Sequence, residues 1–76
     1  MNNTRRKEIS KILTVLKTLQ SDIENIKDDE EYSYDNLPEG FQNSDRGERI
    51  QEAIENLDGA LESMEESINY LEEASV

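Results

Sequence analysis

The chain has no cysteine, no histidine and no tryptophan, with one proline and one phenylalanine among its 76 residues. Without cysteine there are no disulfides and no thiolate metal sites, and the redox compartment is left open. Without histidine, the commonest general base and the commonest transition-metal ligand are both missing. Positive charge is also scarce: 8 Lys and Arg stand against 19 Asp and Glu, for a net charge of −11. Such a balance disfavours direct binding to nucleic acid or to anionic lipid, where Lys and Arg supply the affinity. No apolar run approaches the eighteen or so residues of a membrane span, and no short apolar core follows the basic start as in a signal peptide. These absences point to a cytoplasmic protein that contacts neither membrane nor nucleic acid directly.

What is present is helical order. From Ser44 to Val76 apolar and small residues recur every seven positions in three rows. Ile50, Leu57, Met64 and Leu71 form the first, Ala53, Ala60, Ser67 and Ala74 the second, and Ile54, Leu61 and Ile68 the third. At about 100° per residue the three rows share a stripe roughly 100° wide, the width of a core-facing helical face. Hydrophobic residues make up only 33% of the chain, close to the composition of disordered proteins, but a disordered segment has no reason to keep heptad register.

The first half carries a narrower stripe. Met1–Arg6 reads as a frayed lead-in with Asn3 or Thr4 as a cap, and a helix is expected from about Lys7 to Tyr34. Ile9, Leu16 and Ile23 occupy one heptad position and Ile12, Leu19 and Ile26 the position three later, with Leu13 and Val15 widening the start. Asn36 in a left-handed conformation, Leu37 in contact with Tyr32, and Pro38 give the stop, so residues 35–44 form the inter-helix loop. Gly40 supplies its freedom to turn. Leu37 and Phe41 are expected to fold back and plug the open end of the helix pair. An exposed partner anchor is the alternative for Phe41. The second helix, over about 45–75, opens on Asp45 as cap with Glu48 reaching back, or on Ser44 one residue earlier. Gly59 lies inside it, either tolerated in a long helix or marking the close approach of another backbone.

Two long helices joined by one short loop define an all-α, antiparallel two-helix hairpin, a single domain over residues 1–76. Charge agrees with that orientation. Residues 1–20 carry five bases against one acid, residues 21–43 one against eight, and residues 44–76 two against ten. Arg5, Arg6, Lys7 and Lys11 therefore come beside Glu65, Glu66, Glu72 and Glu73, each cluster offsetting the other. The expected packing seam is Ile50, Ala53, Ile54, Leu57, Ala60, Leu61, Met64, Ile68 and Leu71, with the small-residue row facing a close neighbour. Three apolar rows are more than one neighbouring helix covers. A homodimer forming a four-helix bundle is the economical solution, and docking on another protein its rival.

No catalytic constellation is present, and no metal or cofactor is implied. Carboxylates share helix faces, but a di-iron bundle needs a histidine three residues after a glutamate, and the loop spacing of an EF-hand is missing. The expected function is a non-enzymatic protein–protein interaction module with an unidentified protein partner. Its candidate interaction surface beside the loop is Tyr32, Tyr34, Leu37 and Phe41. An alternative is an acidic nucleic-acid mimic presenting Asp22, Asp28, Asp29, Glu30, Glu31, Asp35 and Glu39 to a DNA- or RNA-binding protein.

The stretch Tyr34-Asp35-Asn36-Leu37-Pro38-Glu39, then Ser44-Asp45-Arg46-Gly47-Glu48 and the acidic Ala-Ile-Glu-x-Leu repeat, resembles a group of small acidic helical proteins. That group is encoded by phages and prophages of low-GC Gram-positive bacteria. The likeness covers roughly residues 30–74. It implies a bacterial or phage origin, a cytoplasmic setting in the host cell, and a role as modulator or inhibitor of a host protein. No activity is attached to the group, so the resemblance assigns no functional residues.

Overall fold

The computed structural model describes Met1–Val76 in full: two helices, α1 (Asn3–Asp35) and α2 (Asp45–Ala74), folded into an antiparallel hairpin. It is a rod of 58 × 15 × 12 Å. No helix is long and apolar enough to cross a membrane.

Helix α1 starts at Asn3, earlier than the expected Lys7, because Asn2 caps it. The Asn2 side chain accepts from the backbone N–H of Arg5 at 2.8 Å, satisfying a donor that would otherwise be orphaned. Asn3 and Thr4, the expected caps, lie inside the first turn. The end is also reached differently. Asn36 keeps φ at −91° and is not left-handed. Its backbone N–H and its side-chain amide both donate to the Tyr32 carbonyl, at 3.0 and 2.7 Å. The short polar side chain thus competes for the helix's own acceptor and ends it. Leu37 N–H donates to the Tyr34 carbonyl at 3.1 Å, which tightens the last turn. The left-handed residue of the loop is Gly40, with φ +91°.

Ser44, the second of the two expected candidates, caps α2. Its hydroxyl donates to the Phe41 carbonyl and accepts from Gly47 N–H at 3.4 Å, while Asp45 and Glu48 sit in the first turn where the helix dipole favours acids. Gly47 is buried there. A β-carbon on it would lie 2.0 Å from the Gln42 carbonyl oxygen and 2.8 Å from that of Phe41. The loop lies directly on the helix at this point, and no side chain fits between them. Gly59, by contrast, has nothing within 4 Å of such a carbon, which favours simple tolerance within the hairpin.

Between the helices runs a heptad seam. From α2 it takes Ile50, Ile54, Leu57, Leu61, Met64, Ile68 and Leu71. From α1 it takes Ile9, Leu13, Leu16, Gln20, Ile23, Lys27 and Tyr34, all at least partly buried. Ile68, 3% exposed, is the one large apolar residue that is buried. Two expectations fail here. Ile12, Leu19 and Ile26 are not in the seam: they are 49%, 46% and 52% exposed, and the row one residue later, Leu13, Gln20 and Lys27, takes their place. Likewise Ala60, Ser67 and Ala74 are exposed and only Ala53 is partly buried, so the small row flanks the seam and does not face α1. One neighbour covers the two central rows of a helical stripe and leaves the third open.

Candidate interaction surface

The two long sides of the hairpin differ. Along one side polar residues cross between the helices. Lys17 pairs with Glu72 at 3.1 Å, Gln20 donates to Glu65 at 2.7 Å, and Gln51 donates to the Tyr34 hydroxyl at 3.0 Å. Lys27 pairs with Asp58 at 2.6 Å and Glu31 at 3.5 Å. The hydrogen bond that Lys27 donates to Asp58 holds its ammonium above its ordinary pKa, partly opposed by burial and helped by the charges of Asp58 and Glu31. On α2 these partners, Gln51, Asp58, Glu65 and Glu72, form the row just after the central row of Ile50, Leu57, Met64 and Leu71.

The opposite side has no such crossing. There the row just before Leu13, Gln20 and Lys27 on α1 meets the row just before Ile54, Leu61 and Ile68 on α2. In an antiparallel pair, positions displaced the same way from the seam on each helix fall on the same side of the hairpin. This side therefore combines a ridge of Ile12, Val15, Leu19 and Ile26 with a trough of Ala53, Ala60, Ser67 and Ala74. Val15 is 57% exposed. The cross-helix contacts of Lys27 with Asp58 and Gln20 with Glu65 set the level, so Ile26 lies beside Ala60, Leu19 beside Ser67 and Ile12 beside Ala74. In a chain of net charge −11, none of these eight ridge and trough residues is charged; Glu8, Asp22 and Asp29, which share the heptad row of Val15, line the outer edge of the ridge.

The residues expected beside the loop divide. Tyr32 and Phe41 are open to solvent at 71% and 56%, whereas Tyr34 and Leu37 are partly buried. Leu37 is thus partly withdrawn from solvent, while Phe41 does not plug the end of the helix pair. Its carbonyl holds Ser44, and its ring faces water. Tyr34 is tied inward, its hydroxyl to Gln51 and its carbonyl to Gln42 at 3.4 Å.

Nor do the expected acids form one array. Asp28, Asp29, Glu30 and Glu31 are consecutive in a helix and point about 100° apart. Glu30 and Glu31 turn toward the seam and are partly buried, whereas Asp22, Asp28, Asp29, Asp35 and Glu39 are exposed. Of the seven, only Glu31 is in an ion pair. The basic residues of the amino end are not paired across the hairpin: Arg6 donates to Asn3 at 3.1 Å, and the acidic end of α2 is met by Lys17. No group of three or more acids is placed to hold a metal ion. The two surface depressions, at Glu66, Asn69, Tyr70 and Glu73 and at Tyr34, Gln51, Ile54 and Glu55, are shallow and open.

The apolar side was missed in the sequence although its signal is there. Ile12, Val15, Leu19 and Ile26 have heptad spacing of their own, interleaved with that of Ile9, Leu13, Leu16 and Ile23. Taking the two as one stripe concealed a helix with two apolar seams.

The fold defines the chain as an all-α helical hairpin. Comparison with protein families, with characterised proteins and with solved structures finds no match to it.

Proposed function

We propose that the protein is a non-enzymatic protein–protein interaction module that binds through the uncharged side of the hairpin. The observation that carries this reading is the exposed row Ile12, Val15, Leu19 and Ile26 on a continuous helix. Scattered apolar residues on a surface need no explanation, but a contiguous apolar ridge on a soluble fold marks a contact site. The resemblance of residues 30–74 to phage and prophage proteins makes a bacterial cytoplasm the setting and modulation of a host protein the expected role, while the apolar row left uncovered makes self-association the expected assembly. Immobilised chain should retain a partner from host lysate at high salt, and Leu19→Glu should lose it while keeping its helix content. Equal retention by Leu19→Glu would remove this surface from the function.

A second reading, the acidic mimic, draws on Asp28, Asp29, Asp35 and Glu39, all exposed and unpaired near the loop. It requires a basic partner whose binding falls steeply as salt screens the contact. Retention that is indifferent to salt excludes it.

A further inference from the structure

We infer that the occupant of the uncharged side is a second copy of the chain, related by a twofold axis along the rod, so that α1 of each copy packs on α2 of the other. The inference rests on the reading of that side as a binding surface.

The hairpin exposes 5853 Å², about 1,000 Å² more than a globular monomer of this mass. A stable interface takes roughly 800 Å² from each partner. The excess is thus close to what one specific interface removes; the trough from Ala53 to Ala74 extends about 32 Å, and the ridge from Ile12 to Ile26 about 21 Å, along a 58 Å rod.

Shape then selects the partner. The side is a ridge beside a trough, and it is complementary to itself. A twofold along the rod leaves the level of every residue unchanged. Ile26, already level with Ala60 in its own hairpin, therefore meets Ala60 of the partner subunit, and Leu19 meets Ser67 of the partner subunit. Each large side chain lands on a small one, as ridge-into-groove packing requires. All neighbouring helices are also antiparallel, as in an up-down four-helix bundle. A twofold across the rod instead sets ridge on ridge and trough on trough, leaving α2 without large side chains to fill its contact.

Charge agrees. Beyond the trough the outer edge of α2 carries Asn56 and Ser63, so Asp22 at the edge of the partner's ridge meets no acid. Apart from Glu8, Asp22 and Asp29 on that edge row, the acids of both copies stay on the remaining faces. Their mutual repulsion is screened by salt, so association should strengthen as salt rises, opposite to a contact made by charge.

The absence of native cysteine makes the test clean. Chains carrying Ile26→Cys and Ala60→Cys are refolded together and mildly oxidised, and Leu19→Cys with Ser67→Cys gives an independent second pair. The expected result is a dimer mass at micromolar concentration and mixed disulfides at least tenfold above either self-cross-link. Leu19→Glu should return the mass to that of a monomer with helicity retained. Self-cross-linking of Leu19→Cys at or above the mixed level would overturn the axis along the rod, since disulfides need α-carbons within about 7 Å and that axis places the two copies of α1 diagonally. A parent that remains monomeric would overturn the second copy as occupant. The broader reading would survive that result if a lysate partner still depended on Leu19, and fail with it otherwise.

Discussion

Helix α1 carries two apolar rows of nearly equal make-up, and the hairpin treats them oppositely. Ile9, Leu16 and Ile23 are partly buried against α2, while Ile12, Leu19 and Ile26, three residues further on, stand about half exposed. Nothing in the side chains separates the rows. What separates them is the direction from which α2 returns, and that is set at the loop and along the polar side. Burial is thus a property of the pair, and the row left open is where the chain still has apolar area to cover.

The largest effect should come from breaking the covered side. Ile68→Ala removes buried methylenes with little room for relaxation and should cost about 3–4 kcal/mol, enough to unfold a small hairpin. Ile26→Ala should cost less than about 1 kcal/mol in the Leu19→Glu background, where association is removed. Thermal melts of the two variants check this. Equal losses would mean that Ile26 is covered within a single chain.

The loop contact at Gly47 comes next. Gly47→Ala forces a β-carbon into the Gln42 and Phe41 carbonyls, so the loop must move. We expect a loss of about 3 kcal/mol, at the upper end of overpacking costs. Because this contact helps aim α2 at α1, the variant should also weaken the distinction between the rows. Hydrogen exchange at Leu16 and Leu19 reads that directly. An unchanged melt would show that the loop does not direct the pairing.

Lys27 gives a smaller, pH-dependent test. Its folded pKa is raised above 10.5, so its contribution is fully present below 10.5 and is lost as pH climbs through the folded value. The melting temperature should fall above pH 10.5, and Lys27→Met should flatten that limb. The difference between variant and parent, not the parent curve alone, decides.

Gly59→Ala should produce the smallest shift, a gain of about 1 kcal/mol in helix propensity with no clash to offset it. A loss, seen only at concentrations where the chain is dimeric, would place a second backbone at Gly59 and move the interface to the outer face of α2.

Much of this protein follows from its sequence alone. The heptad rows, Pro38 and the shortness of the loop determine two helices, one connection and an antiparallel return, because local hydrogen bonding and periodic burial are properties of a single chain segment. Ser44 and Gly40 are legible for the same reason. The tertiary structure decided which of two overlapping seams on α1 is used. It preferred Leu13, Gln20 and Lys27 over the more apolar Ile12, Leu19 and Ile26, since Gln20, Lys27 and Tyr34 each find a partner on α2. Apolar periodicity carries no information about such pairs. The requirement at Gly47 and the exposure of Ala60 and Phe41 were hidden likewise, because each depends on where a distant backbone passes. Sequence sets how wide an apolar stripe is; only packing decides which part of it one neighbour can cover.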